Sequence, residues 1–169
     1  VSYSVGAKLS FGDMGEFDPD SEYFVYEADE YDKNFLSFSP EIAIISGIDY
    51  DHPDIYPTRE SYNRAFVEFI CQSNDVFAHP ADLERIGMAA EDVTTVDPSL
   101  FTLVGSVNRK NAQLVVEALS TITDSSVEDL VKILNKFPGV SRRFEKISEN
   151  IYSDYGHTPE KIRGALQIA

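Results

Sequence analysis

Short apolar runs, each followed by polar residues and turn formers, recur along the chain. The runs at 23–26 and 42–45 have the length of strands and predict buried strands of a mainly parallel sheet. The runs at 76–78 and 94–96 predict further short strands. Each of the first two runs delivers acidic residues at its C-terminal end, where the strands of an α/β protein present their loops.

Longer stretches show the spacing of helices. Between 58 and 72 the apolar residues fall at positions i, i+3, i+4, i+7 and i+8, so one helix face is predicted to lie in the core. These residues are Tyr62, Ala65, Phe66, Phe69 and Ile70. Further helices are predicted near 81–87, 108–121 and 125–137. Because strands and helices alternate, the pattern indicates an α/β fold.

The last of these helices carries its own start and stop signals. Ser125-Ser126-Val127-Glu128 fits a capping box, and Phe137-Pro138-Gly139 ends the helical pattern. The inward face is predicted to consist of Val127, Leu130, Val131 and Leu134. We expect a domain boundary at the stop signal.

A new unit is predicted beyond that boundary. A strand near 144–152 is followed by a helix that begins at Thr158-Pro159-Glu160, with proline at its first position. We therefore expect one domain over 1–137, and a hinge with the start of a second domain over 138–169.

Composition excludes several classes of partner. With 29 Asp and Glu against 14 Lys and Arg, the net charge of -15 would repel a phosphate backbone, so we expect no nucleic-acid partner. No apolar run approaches the ~18 residues that span a bilayer, so we expect no membrane partner either. The single cysteine, Cys71, offers no disulfide framework, which fits a reducing cytoplasm.

Two acidic clusters follow the first two predicted strands. They are Glu27-Ala28-Asp29-Glu30-Tyr31-Asp32 and Asp49-Tyr50-Asp51-His52-Pro53-Asp54. In an open α/β sheet, ligands bind outside the carboxyl ends of the strands, so both clusters are predicted to line one cleft that holds a divalent cation. The alternative is a pair of solvated loops in a very acidic protein.

Three further motifs carry groups that suit an anionic ligand. Asn108 and Asn111 lie three residues apart near a predicted helix N-terminus. Arg142 and Arg143 form a pair that can clamp a phosphate, and the turn at 154–157 contains Asp, Tyr, Gly and His. Each motif taken alone also fits an ordinary cap or turn.

In their order along the chain, these motifs resemble those of the Mur ligase family. The matching patterns are Glu27-x-x-Glu30-x-Asp32, Asp51-His52-x-Asp54, Asn108-x-x-Asn111, Gly139-Val140-x-Arg142-Arg143-Phe144 and Asp154-Tyr155-Gly156-His157-x-Pro159. The segment from Phe35 to Tyr56 looks most like members that join L-alanine to UDP-N-acetylmuramate. Members that attach a ready-made tripeptide to the same sugar nucleotide stay an alternative, as does a non-catalytic acidic module that binds cations.

The resemblance implies a fold and a reaction. The fold would be a central ATP-binding domain, with a mainly parallel sheet flanked by helices, followed by the beginning of a Rossmann-like C-terminal domain. The enzyme would use ATP to activate a carboxylate as an acyl phosphate, which the amine of L-alanine then attacks. This reaction belongs to peptidoglycan synthesis in the cytoplasm.

The resemblance also implies roles for individual residues. Glu27 and His52 would hold Mg²⁺, with Mn²⁺ as a substitute because imidazole is an unusual ligand for so hard a cation. Arg143 would complete the catalytic set. The residues implied to bind ATP are Asn108 and Asn111 at the adenine, Arg142 and Arg143 at the phosphates, and Asp154 at the ribose; His157 would lie near the acceptor amino acid.

The family's Gly-x-Gly-Lys-Thr-Thr phosphate loop does not occur in the 169 residues. We expect the chain to be a fragment of the ligase, and we predict that it shows no alanine-dependent ATP hydrolysis by itself, because the amides and lysine that cradle the phosphates are missing. The assay supplies ATP, UDP-N-acetylmuramate and L-alanine, and an intact ligase serves as positive control. Turnover by the chain alone would contradict the expectation.

Overall fold

The computed structural model of the chain forms two compact units. The first unit combines residues 1–29 with 137–167, and the second comprises residues 30–136 with Ile168. The residues that the structure describes are 1–9, 11–89 and 96–168. Within these ranges no helix is both long enough and apolar enough to cross a bilayer.

Seven strands and five α-helices make up the described structure. The strands are β1 Ser2–Ser4, β2 Gly15–Glu16, β3 Phe24–Tyr26, β4 Ile42–Ile45, β5 Asp75–Ala78, β6 Glu145–Ser148 and β7 Ile151–Ser153. The helices are α1 Arg59–Cys71, α2 Pro80–Arg85, α3 Ser106–Ile122, α4 Val127–Leu134 and α5 Pro159–Leu166, with 3-10 helices at Tyr31–Ser37 and Pro98–Leu100. The predicted α/β class is confirmed by this mixture of helices and parallel strand pairs.

The second unit is built on a parallel pair of strands joined through a helix. Strand β4 pairs with β5 in the register Ile42↔Asp75 to Ile45↔Ala78, and α1 lies between them in the chain. Helix α1 begins at a capping box in which the Thr58 hydroxyl accepts a hydrogen bond from the Ser61 amide at 3.1 Å. All five residues predicted to form its core face are buried.

Aromatic contacts hold α1 to the 3-10 helix before β4. The ring of Phe35 lies 5.2 Å from that of Phe66 and 4.9 Å from that of Phe69. Tyr62 extends the cluster, with its ring 4.9 Å from Phe66. Rings at these separations contribute favourable packing beyond the area that they bury.

A second core lies under α3 and α4. It consists of Val96, Phe101, Ala112, Val116, Leu130 and Val131. Helix α4 starts one residue later in the capping motif than predicted, because the Ser126 hydroxyl caps the Asp129 amide at 3.2 Å. The prediction that Val127 faces inward was therefore wrong, and this side chain is 41% exposed.

The first unit contains a small sheet in the order β2-β1-β3, with β1 and β3 parallel. The strand predicted at 23–26 is present, but its predicted burial was wrong, since Phe24 is 60% and Val25 54% exposed. Aromatic and β-branched residues favour strand geometry, and that preference does not itself require burial.

The region at 144–152 differs from the single strand that was predicted. Strands β6 and β7 form an antiparallel hairpin, and Asn150 adopts a φ of 60° in the turn between them. Asparagine tolerates this left-handed conformation better than most residues. Helix α5 begins as predicted, with Thr158 as cap and Pro159 in the first turn.

Two predictions are not tested by the described structure: the full strand at 94–96 and the division into domains. In the strand predicted at 94–96, Thr94 and Thr95 lie outside the described residues, and Val96 is buried. The chain leaves the second unit after Lys136. The division into domains at 1–137 and 138–169 stays a prediction.

We predict that Phe66→Ala lowers the free energy of unfolding of the chain by about 3–5 kcal/mol, because it opens a cavity among Phe35, Tyr62 and Phe69. The matched control is Phe17→Ala, since that ring is 81% exposed. Urea denaturation measures both variants. Equal losses of stability in the two variants would contradict the assignment of the core.

Candidate functional site

Three potential metal ligands meet in the second unit. Glu30, Asp51 and His52 each offer one ligand atom, and these atoms all lie within 4.8 Å of one another. His52 Nε2 lies 3.5 Å from Glu30 Oε1, and both side chains are more than two-thirds buried. Glu30 comes from the first acidic cluster, and Asp51 and His52 come from the second. That both clusters line one cleft stays a prediction.

The buried side chain of Tyr56 fixes the two sides of this site. Its hydroxyl donates a hydrogen bond to the Glu30 carbonyl at 2.6 Å, and its own amide donates to the His52 carbonyl at 2.9 Å. Tyr56 is fully buried, so these bonds are shielded from water. The segment before the 3-10 helix and the loop after β4 are thereby held to one side chain.

The backbone at His52 adopts an uncommon conformation. Its φ is 55°, and its amide donates to the Asp51 carboxylate at 2.9 Å. The Tyr31 ring packs against the His52 ring in a T-shaped arrangement, with the ring centres 5.1 Å apart. A left-handed conformation at a histidine persists only where its surroundings enforce it, and such strain occurs often at functional sites.

The electrostatic environment favours a cation. Burial raises the pKa of the nearby Tyr62 hydroxyl well above its usual value, and the charges of Glu30, Asp51 and Asp49 raise it further. A negative potential that opposes ionisation of a phenol also attracts a positive ion. The site therefore combines ligand atoms with a field of the required sign.

Glu27 lies in the first unit, where it makes a different contact. Its carboxylate accepts a hydrogen bond from the Gly6 amide at 2.6 Å, and its own amide donates to the Ser4 carbonyl at 2.9 Å. The acid that the structure places beside His52 is Glu30. Sequence reasoning quoted Glu30 and Asp51 in its motifs but gave them no ligand role; the pairing of Glu27 with His52 stays a prediction.

The two asparagines of α3 have different surroundings. The Asn108 amide donates to the Val104 carbonyl at 2.7 Å, which secures the start of the helix. Asn111 Oδ1 is buried and has no hydrogen-bond partner among the described residues. His79, which sequence reasoning missed, has a second such atom, Nε2; burial lowers its pKa, and the charge of Lys110 adds to that effect.

The remaining predicted site residues gather in the first unit. The Asp154 carboxylate accepts hydrogen bonds from the Phe144 amide at 2.9 Å and the Gly156 amide at 2.7 Å. The Arg143 guanidinium lies 5.8 Å from the centre of the Tyr155 ring. These contacts bring the predicted arginine and aspartate motifs into one cluster of loops.

Arg142 and His157 belong to the same cluster of loops. Arg142 has a φ of 61°, and its amide donates to the Glu145 carboxylate at 2.9 Å. The ring of His157 lies 5.4 Å from that of Tyr155, and its Nδ1 is 3.0 Å from the Tyr155 carbonyl oxygen. Their predicted ligand contacts stay predictions.

Several curated proteins similar to this chain carry the name UDP-N-acetylmuramate--L-alanine ligase. UDP-N-acetylmuramate--L-alanine ligases from Clavibacter sepedonicus and Nocardioides sp. are 29% and 30% identical, over 88% and 99% of this chain. The ligase of that name from Streptococcus pneumoniae is 29% identical over 100% of this chain. The chain spans 39%, 42% and 46% of these relatives, which is less than half of each.

A solved structure and a family profile agree with these relatives. The crystal structure of a murein peptide ligase from Psychrobacter arcticus 273-4 matches with a TM-score of 0.62 at 20% identity, over 98% of this chain and 48% of that chain. This likeness shows the shared fold. The profile of the Mur ligase middle domain matches residues 4–125, most of the chain. The chain therefore belongs to the Mur ligase family.

Proposed function

We propose that this chain belongs to a cytoplasmic, ATP-dependent ligase that joins L-alanine to UDP-N-acetylmuramate in peptidoglycan synthesis. The proposal rests on the meeting of Glu30, Asp51 and His52 in a chain of the Mur ligase family. The names of its curated relatives support L-alanine as the acceptor. Since the chain spans less than half of those relatives, the substrates of the whole protein are part of the proposal.

The three clustered residues suit a divalent cation. Ligands of one ion at ~2.1 Å each lie up to ~4.2 Å apart, so atoms that are all within 4.8 Å need only a small closure. Two carboxylates provide the oxygen ligands that Mg²⁺ prefers, while His52 makes Mn²⁺ an equally suitable ion. When bound, the cation would neutralise charge on the phosphoryl group that ATP transfers.

The chain's own residues would prepare this site before the ion arrives. Glu30 and Asp51 supply negative charge, and Tyr56 holds the backbone of Glu30 against that of His52. Glu27 stays a proposed ligand in the active ligase because of its place in the family motif. Preorganised groups of this kind need little rearrangement when charge develops during the reaction.

The proposed reaction proceeds in two chemical steps. The carboxylate of the sugar nucleotide attacks the γ-phosphorus of ATP, which forms an acyl phosphate and releases ADP. The neutral amine of L-alanine then attacks the acyl carbon; phosphate leaves, and the nitrogen releases a proton to solvent as the amide bond forms. We assign Arg142 and Arg143 to the phosphates of ATP and Asp154 to its ribose, with Asn108 and Asn111 at the adenine and His157 near the acceptor amine.

We predict that Glu30→Gln and His52→Gln each weaken Mn²⁺ binding to the chain by about tenfold or more, because each removes one ligand of the ion. Electron paramagnetic resonance measures the free Mn²⁺. The control is Asp20→Asn, which removes the same charge as Glu30→Gln at an exposed position of the first unit. If Glu30→Gln weakened binding no more than Asp20→Asn does, and His52→Gln left it unchanged, only the overall charge would matter and the proposed site would be wrong.

A second prediction concerns an active ligase that contains this chain. Glu27→Gln should lower the rate by ~10² to 10³, because a charge that assists phosphoryl transfer is lost, while the thermal midpoint stays nearly unchanged. Asp32→Asn, in the same acidic cluster, should lower the rate less. Product formation and thermal melting are measured for both variants. Full activity of the Glu27 variant at saturating Mg²⁺ would favour the reading of these acids as solvated loops.

A further inference from the structure

A guanidinium group from α2 joins the loop that leads to the candidate metal ligands. Arg85 Nη1 donates to the Ile48 carbonyl at 2.9 Å and to Asp49 Oδ1 at 2.6 Å. The same nitrogen lies 3.4 Å from Asp82 Oδ1, one helical turn earlier. One side chain of α2 therefore contacts both the backbone and a carboxylate of the loop after β4.

Asp82 completes the attachment at the same residue of the loop. Its Oδ1 accepts a hydrogen bond from the Ile48 amide at 3.3 Å, so both backbone polar groups of Ile48 are bound by side chains of α2. Ile48 is only 1% exposed, and the Asp82 side chain is 14% exposed. Buried backbone groups that lose their partners are costly, so this pair of contacts fixes the loop firmly. We refer to Asp82 and Arg85 together as the α2 clamp.

The clamp acts a few residues before the site. Asp51 and His52 follow Asp49 in the loop with only Tyr50 between, and His52 holds the positive φ described above. A ligand in a strained conformation keeps its place only if the chain on either side is held. Tyr56 holds the chain after His52, and the α2 clamp holds the chain before it.

We infer that Arg85 and Asp82 are positioning residues for the cation site, because they fix the loop that presents Asp51 and His52. This inference rests on the proposed function of the site. Neither residue is among the three that offer ligand atoms. Residues that orient metal ligands from outside the coordination sphere typically change metal affinity by about 10-fold to 100-fold when they are replaced.

The direction in which cation affinity changes when Arg85 is replaced separates a positioning role from a purely electrostatic one. Arg85 is a cation, so removing its charge alone would strengthen the binding of another cation nearby. Loss of the clamp has the opposite effect, because the loop that carries two ligands is released. We expect release to dominate, since the Arg85 side chain is 40% exposed and solvent screens its charge.

The experiment measures Mn²⁺ affinity of the chain by electron paramagnetic resonance, with the thermal midpoint as a test of folding. Arg85→Gln should weaken binding by about tenfold. The control Lys132→Gln removes an equal charge from α4, where Lys132 pairs with Glu128 and Asp129, and it should leave the affinity unchanged. Binding by Arg85→Gln that is as tight as wild type, or tighter, would overturn the inference while leaving the metal site intact.

A matched pair at Asp82 decides the question if Arg85→Gln fails to fold. Asp82→Asn and Asp82→Ala remove the same charge, but only asparagine retains an oxygen that can accept from the Ile48 amide. The clamp predicts that the alanine variant binds Mn²⁺ about fivefold more weakly than the asparagine variant, as expected for one lost hydrogen bond. Equal affinities of the pair would overturn the inference. If the His52→Gln variant bound Mn²⁺ as tightly as the wild-type chain, the proposed function would be contradicted as well.

Discussion

The packing of α1 against Phe35 is the interaction on which the site in the second unit depends. Phe66 and Phe69 come from the buried face of α1, while Phe35 lies in the 3-10 helix that follows Glu30. Burial of these rings brings the segment with Glu30 under the same helix that joins β4 to β5. Since His52 lies in the loop after β4, the aromatic core also determines that an acid and a histidine far apart in sequence become neighbours.

The acidic character of the chain has a specific consequence where Glu30, Asp51 and His52 meet. A net charge of -15 spread over a surface would repel any anionic substrate. Where Glu30 and Asp51 approach the mostly buried His52, the same kind of charge forms a potential that attracts a divalent ion, and an ion in turn can receive phosphate oxygens. The pKa of Tyr62 is raised mainly by burial of its ring, and the charges of Glu30 and Asp51 raise it further, which is a second sign of this potential. Local concentration of charge thus reconciles an acidic protein with the anionic substrates proposed for it.

The sequence patterns predicted helices and strands better than they predicted which residues contact each other in the fold. The spacing of Tyr62 to Ile70 identified the buried face of α1, because a helix has one period and one inward stripe. Burial of the strand at 23–26 was predicted wrongly, since strand propensity does not reveal whether another layer covers the strand. Glu30 of the first acidic motif meets Asp51 and His52 of the second, and its contact with His52 depends on the turn after Glu30 and on Tyr56. Neither leaves a periodic signal.

The two asparagines of α3 show how structure refines a motif that sequence treats as a unit. Asn108 uses its amide to bond the Val104 carbonyl, so it already has a role at the start of the helix. Asn111 Oδ1 and His79 Nε2 are buried acceptor atoms without a partner among the described residues, and such atoms carry an energetic penalty until a donor reaches them. The lowered pKa of His79 keeps its imidazole neutral, so Nε2 retains a lone pair when Nδ1 carries the proton. An exocyclic amine such as that of adenine has two hydrogens to donate. In the ATP complex proposed above, Asn111 therefore has more to gain from the base than Asn108 has.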